Sequence, residues 1–383
     1  MNIPFIDLKA QQQQIAPQID RAIKKVLDHG KYIMGPEIFE FEQDLEKFCN
    51  VKYAITCSSG TDALLMILMA KNITYGDCVF VPNFTFTATP EVIALLGATP
   101  IFVDVDAESF NIDIESLEQA IETAKIKKLN PKAIIAVDLF GQPANYQRLK
   151  QFAAQHDLWI LADAAQSFGA TLHHQKVGQM GLATATSFFP AKPLGCYGDG
   201  GAILTDDEEL AECVRSIRIH GKGSHKYDNI RIGLNARMDT IQAAILIEKL
   251  KIFPCELIAR QKVASFYENA LTTIVKTPRL IEGATSSWAQ YTIKIPSNFE
   301  RHNIINDLKA QGIPTMVYYQ KPLHLQTAYK NFPTAFGARL SVSETLCNQV
   351  LSLPMCPYLS NKTVGMITET LHQIIEKQKA IAK

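Results

Sequence analysis

Apolar positions recur at helical spacing over residues 11–28 and again over 37–49, and the intervening Gly30-Lys-Tyr-Ile-Met-Gly-Pro36 breaks the pattern with its glycines and proline. Short β-rich runs then alternate with helical ones. Strands are predicted at 54–57, 78–82, 100–105, 133–139, 159–162, 184–188 and 202–205, and helices at 61–71, 88–96, 114–125 and 145–156. This alternation is that of an α/β fold with a mostly parallel sheet covered by helices. A helix is expected from about 239 to 250, and the character changes near Phe253-Pro254. Beyond it, strands at 288–295 and 314–318 and helices at 302–310, 343–349 and 361–379 predict a smaller α+β unit. The expected division is a large domain over 1–252, opened by helices, and a small C-terminal domain over 253–383.

Composition narrows the function classes. The chain has 383 residues, 47% of them hydrophobic, enough to bury a substantial core. Lys plus Arg and Asp plus Glu stand at 38 each, so no global positive field exists to collect nucleic acid or an anionic membrane. Eight cysteines show no CxxC and no His/Cys pairing at metal spacing, which points away from zinc and disulfides and towards reduced thiols in the cytoplasm. Met1-Asn-Ile-Pro-Phe-Ile-Asp-Leu8 has neither a basic flank nor a sustained apolar run, and no run approaches about 18 uninterrupted apolar residues, so neither export nor a membrane span is expected.

The chemistry centres on Lys192, in Ser187-Phe-Phe-Pro-Ala-Lys-Pro-Leu-Gly-Cys-Tyr-Gly-Asp-Gly-Gly201. A lysine between a β-rich run and a glycine-dense loop is placed to lose its proton and act as an amine nucleophile towards a bound carbonyl. Asp163 closes the apolar run of Ile160-Leu-Ala-Asp163, where open α/β sheets gather ligand-binding groups. It is open to two readings: a helix cap, or a carboxylate facing a cationic ring nitrogen. Together Lys192 and Asp163 match what a pyridine aldehyde cofactor requires. Cys57-Ser-Ser-Gly-Thr-Asp-Ala63 reads as a helix N-cap or, beside such a lysine, as a phosphate cradle around Gly60 and Thr61. Phe84 and Phe86 offer flat partners for a ring, though aromatics after a strand are more often core, and Ser187 offers a hydroxyl.

With these residues the chain resembles the DegT/DnrJ sugar-nucleotide aminotransferases, pyridoxal phosphate enzymes of the aspartate aminotransferase fold (fold type I). The carriers are Tyr32-Ile-Met-Gly-Pro-Glu37, Ser59-Gly-Thr-Asp-Ala63, Phe84-Thr-Phe-Thr-Ala-Thr89, Asp163-Ala-Ala-Gln166, Ser187-Phe-Phe-Pro-Ala-Lys192, Gly198-Asp-Gly-Gly201, Gly233-Leu-Asn-Ala-Arg237 with Asp239 and Gln242-Ala-Ala244, and Pro322-Leu-His324. The resemblance implies Lys192 as the Schiff-base lysine and proton shuttle, and Asp163 as partner of the pyridine nitrogen. It implies Gln166 at the ring hydroxyl, Phe86 stacked on the ring, and Gly60, Thr61 and Ser187 on the phosphate. Asn235 would reach the phosphate from a neighbouring subunit, making a homodimer part of the site. Arg237 and His324 match sugar-nucleotide positions, with Tyr319 beside them; taken alone, Arg237 reads as an ion pair with Asp239 and His324 as a surface histidine. Tyr319 is followed by Gln320-Lys321 where the family often has Tyr-Pro, which bears on loop shape and sugar preference.

The implied reaction moves the amino group of L-glutamate through pyridoxamine phosphate to a keto sugar nucleotide. The motif wording is most similar to enzymes acting at carbon 3 of UDP-2-acetamido-3-keto-glucuronic acid in bacterial polysaccharide synthesis. The runner-up is a dTDP-3-keto-6-deoxyhexose aminotransferase. A sugar dehydratase of this family would replace the lysine by histidine, and a PLP-binding regulator would need a DNA-binding element with a basic patch.

Overall fold

The computed structural model describes residues 3–225, 227–335 and 339–381. Helices α1 (Leu8–Gln14) and α2 (Ala16–His29) open the chain, separated at Ile15, and α3 (Pro36–Cys49) follows the expected constrained turn. Asp7 caps α1 by accepting from the Ala10 amide, while Gly30, at φ 67°, ends α2 in the left-handed region that glycine adopts without strain.

A seven-stranded sheet then forms from β1 (Tyr53–Cys57), β2 (Asp77–Pro82), β3 (Thr99–Val103), β4 (Asn130–Val137), β5 (Trp159–Asp163), β8 (Ala183–Ser187) and β9 (Gly201–Thr205), with a small hairpin of β6 (Thr171–Leu172) and β7 (Gln175–Lys176) set apart. The order is β1-β9-β8-β5-β4-β2-β3. All neighbours are parallel except β9, which runs against both β1 and β8. The helices between strands are α4 (Gly60–Ala70), α5 (Ala88–Leu95), α6 (Ile114–Lys127), α7 (Tyr146–Gln155) and α8 (Glu208–Ile217). Side chains of Ser59, Asp113, Asn145 and Asp207 cap α4, α6, α7 and α8, each accepting an amide of the first turn. The apolar strands β2, β4, β5 and β9 are buried along most of their length between these helices, which is the burial a parallel sheet covered on both faces demands.

Two features depart from the sequence reading. The helix expected to stop near 250 continues as α9 (Thr240–Leu271), 32 residues with Pro254 inside it. Proline removes one helical hydrogen bond, but α9 lies against α2 and α3 along its first half and against α12 (Asn361–Ile381) further on, and this packing carries it through. The division expected at 252/253 therefore falls inside a helix that serves two apolar clusters. Ala243, Leu246, Leu250 and Phe253 belong to a cluster with α3 and Phe188, whereas Val263, Ala264, Tyr267 and Leu271 belong to one with Trp288, Tyr291, Ile304 and Leu371.

The second departure concerns 314–318. It is not a strand: Met316 alone bridges to Ser352. The partner of β10 (Tyr291–Lys294) is β11 (Val350–Leu353), which leaves α11 (Ser341–Gln349) without an intervening turn, and α10 (Arg301–Ala310) lies between β10 and α11 in sequence. Helix α8 and the strand β11 had no counterpart in the sequence reading.

Candidate active site

The site forms where parallel strands end. Cys57 of β1 and Ser187 of β8 both pair with Gly201 of β9, and Asp163 of β5 pairs with Ala185 two residues before Ser187. The turn after β1 is thus brought over the end of β8. Gly60, the first residue of α4, packs so closely there that a Cβ would lie 2.8 Å from Ser187 Cβ. A hollow that only glycine leaves open, at the N-terminus of an 11-residue helix beside a serine hydroxyl, has the donors and dipole that a phosphate needs. Thr61 follows in the same turn, half-buried.

Asp163 is buried, and its carboxylate accepts from Thr89 Oγ1 at 3.1 Å and from the Ala165 amide at 3.2 Å. Burial pushes its carboxyl up, opposed by the Ala165 amide, the Lys192 ammonium and the Thr89 hydroxyl. Lys192 shows the converse: burial pushes its amine down while Asp163 raises it. The two groups thus act on each other electrostatically, and burial brings each closer to neutrality than in water. Such an amine is nucleophilic nearer neutral pH than an exposed lysine.

Behind Asp163 lies a second carboxylate. Asp138 is fully buried and accepts from the Ala144 amide (2.8 Å), Tyr146 Oη (2.8 Å) and Ser167 Oγ (2.7 Å). Burial nonetheless raises it to about 7. Its amide donates to the Asp163 carbonyl at 3.0 Å, so this network braces the backbone of the Asp163 turn.

Gln166 is oriented by the Phe140 amide, which donates to Oε1 at 2.7 Å; Nε2 then donates to Tyr319 Oη at 3.3 Å. Tyr319 stands edge-on to Phe84 with ring centroids 5.8 Å apart, and burial pushes its hydroxyl pKa up. The structure therefore brings Tyr319 to Gln166 and within electrostatic reach of Asp163. Phe84 is core, 1% exposed, whereas Phe86 is 57% exposed and presents its ring outward.

Asn235 and Arg237 stand apart from this group but are tied to it. The Ala236 carbonyl accepts from the Ser58 amide at 3.0 Å, which joins their segment to the turn carrying Gly60. Arg237 donates from Nε (3.0 Å) and Nη2 (2.5 Å) to Asn235 Oδ1, rather than to Asp239 as its sequence position alone had allowed. His324 is not a free surface histidine. Its amide donates to Asn83 Oδ1 at 2.9 Å, its Nδ1 lies 3.1 Å from the same atom, and Nε2 is 3.5 Å from Glu344. Burial lowers its pKa, with Glu344 opposing.

Sequence reasoning missed Thr89, Asn83 and Asp138. Thr89 lies in Phe84-Thr-Phe-Thr-Ala-Thr89, a string valued for its aromatics while its repeated hydroxyls carried the signal. Asn83 and Asp138 each follow a strand of the sheet, the position that had singled out Asp163. Among the described residues no group of three or more His, Cys, Asp or Glu is arranged to hold a metal ion, and no helix is long and apolar enough to cross a membrane.

The model of the DegT/DnrJ/EryC1/StrS aminotransferase family matches residues 13–372. UDP-2-acetamido-2-deoxy-3-oxo-D-glucuronate aminotransferase of Pseudomonas aeruginosa is 44% identical over 370 residues, which cover 96% of this chain and 99% of that protein. Among solved structures, a DegT DnrJ EryC1 StrS aminotransferase from Brucella abortus superposes with a TM-score of 0.94 at 50% identity, covering 97% of this chain and 99% of that one. NtdA from Bacillus subtilis with bound cofactor PMP gives a TM-score of 0.89 at 30% identity, over 98% and 85% of the two chains.

Proposed function

The chain belongs to the DegT/DnrJ/EryC1/StrS aminotransferase family, whose cofactor is pyridoxal 5′-phosphate, and from that premise we propose that it transfers the amino group of L-glutamate to carbon 3 of UDP-2-acetamido-2-deoxy-3-keto-glucuronic acid. The product would serve bacterial polysaccharide synthesis in the cytoplasm. The observation that carries the substrate choice is the 44% identity, over almost the whole of both chains, with an enzyme named for that keto sugar.

The residues fit the cofactor. The glycine hollow at Gly60, with Thr61 and Ser187, would hold the phosphate, and Asp163 would hold the protonated ring nitrogen. Gln166, whose amide orientation the Phe140 N–H fixes, would serve the ring hydroxyl. Phe86 would supply the aromatic face, and Asn235 would reach the phosphate of a second subunit, which makes the working unit a homodimer. When bound, pyridoxal phosphate supplies a carbonyl for the donor's nitrogen and a ring that delocalises the electrons left by proton removal.

Each side chain then has a task. Lys192 Nζ, made less basic by burial, would be the amine that holds the cofactor and the group that moves the proton at the substrate carbon. Asp163 keeps its negative charge against the ring, with Thr89 and the Ala165 amide favouring the ionised form. Arg237 pairs with the sugar carboxylate through its planar fork, while His324 and Tyr319 border the sugar site.

A panel of UDP- and dTDP-keto sugars offered with glutamate tests the reading. Turnover of the UDP-keto-uronate is expected; turnover of a dTDP-keto-6-deoxyhexose alone would overturn the substrate and leave the cofactor chemistry standing. Arg237→Lys should raise KM for the uronate about tenfold or more, as one bidentate charged contact is lost. An unchanged KM would remove Arg237 from the carboxylate.

A further inference from the structure

Lys249 is a lysine at 1% exposure, on α9, seven residues and so two turns beyond Gln242 on the same helix face. Both side chains reach the loop that follows Lys192. Gln242 Oε1 accepts from the Tyr197 amide at 2.9 Å. Lys249 Nζ donates to the Gly195 carbonyl at 2.6 Å and lies 4.2 Å from the centroid of the Tyr197 ring.

The loop is itself tightly wound. The Lys192 amide donates to the Phe189 carbonyl and the Cys196 amide to the Phe188 carbonyl, each at 2.8 Å. Gly195 turns where a Cβ would sit 2.5 Å from Pro190 O and 2.7 Å from Phe189 O. Residues 188–198 are thus bonded to one another as a wound loop, and α9 fastens that loop at two points.

We infer that Lys249 is a positioning residue, whose buried amine clamps the Gly195 carbonyl and the Tyr197 ring and so holds Lys192 beside Asp163. The inference rests on the reading of Lys192 as the reacting amine. The clamp is also proton-coupled. Burial pushes Lys249 down to about 8, opposed by Cys196 and Glu256. The titratable groups around it are Cys196 and Tyr197 on the loop, Asp199 beside Cys196, Glu256 on its own helix, and Asp20 of α2 facing Tyr197. Opening the loop to water returns the amine towards its ordinary pKa, so the open state binds more protons between the two values. For this amine alone, opening becomes less favourable as pH rises through that window, while Cys196 and Tyr197, both raised by burial, act in the opposite sense.

The test uses Lys249→Met, which keeps the length and removes the donor. In cofactor-free protein, amide hydrogen exchange of residues 188–198 should speed up about tenfold, the worth of one buried carbonyl left unpaired. The pH midpoint for coupling of Lys192 to pyridoxal phosphate should rise, since a looser loop hydrates that amine. Wild-type exchange with an unmoved midpoint would overturn the clamp. If Lys249→Met does not fold, Tyr197→Leu decides: it removes the ring beside the amine, and exchange of residues 188–198 should speed up severalfold, whereas unchanged exchange overturns the inference. If wild-type protein does not couple to pyridoxal phosphate at all, the reading of Lys192 fails, while the exchange arm still judges the clamp.

Discussion

Asp163 and Lys192 act on each other electrostatically, and substitution of one is legible in the titration of the other. Asp163→Asn keeps the size and the hydrogen bond to Thr89 but removes the charge that raises Lys192. It is expected to retain pyridoxal phosphate and to lose roughly a hundredfold or more in kcat, the scale seen when one electrostatic partner of a reacting centre is removed. The pH at which the Lys192 amine becomes reactive, followed by absorbance as the cofactor couples, should fall further below that of free lysine. A midpoint moving upward would mean that Asp163 does not face the amine. At this scale the sequence was most readable, because Lys192, Asp163 and Gly60 each close or follow a strand within a recognisable string. Thr89 and Asp138 were missed although their strings carried a signal, whereas Lys249 was not legible, since its partner lies 54 positions away and only folding brings the two together.

The elements meet at the site through close backbone approach. Gly60→Ala puts a methyl 2.8 Å from Ser187 Cβ and forces the N-terminus of α4 off the end of β8. Because the contact involves a short side chain held in a strand, the helix start has to shift, and the affinity for pyridoxal phosphate measured by fluorescence titration should fall about tenfold while the melting temperature changes little. Unchanged affinity would place the phosphate elsewhere. A second junction joins the units: Asp104, after β3, accepts from the Val342 and Ser343 amides at 3.0 and 2.8 Å and so caps α11 from outside that helix. Asp104→Ala leaves those amides unpaired and should cost about 1–2 kcal/mol in denaturant unfolding; a loss below experimental error would show that water replaces the cap. Element boundaries were read well where caps and periodicity agree, as in α6 and α7. They were misread where a β-rich string such as 314–318 lacks a partner along its length, and where α11 passes into β11 with no turn residue to mark the change.

For the whole molecule, the α/β architecture was legible because strands and helices alternate without exception from β1 to β5. The extent of α9 was not, because a proline at 254 argues locally for a stop and only packing against other helices overrules it. The proposed homodimer carries its own test. If Asn235 completes the partner's site, mixing Lys192→Ala with Asn235→Ala and allowing subunits to exchange gives mixed dimers with one intact site each. About a quarter of wild-type activity should return; no recovery, with exchange confirmed by mass, would confine the site to one chain.

The most direct test of the central claim follows the nitrogen itself. Purified protein loaded with pyridoxal phosphate is given 15N-labelled L-glutamate and UDP-2-acetamido-2-deoxy-3-keto-glucuronic acid, and the products are weighed. The predicted result is 2-oxoglutarate together with a UDP-amino-uronate bearing the label at carbon 3. A sugar nucleotide without the label, in protein whose Lys192 binds the cofactor, would contradict it.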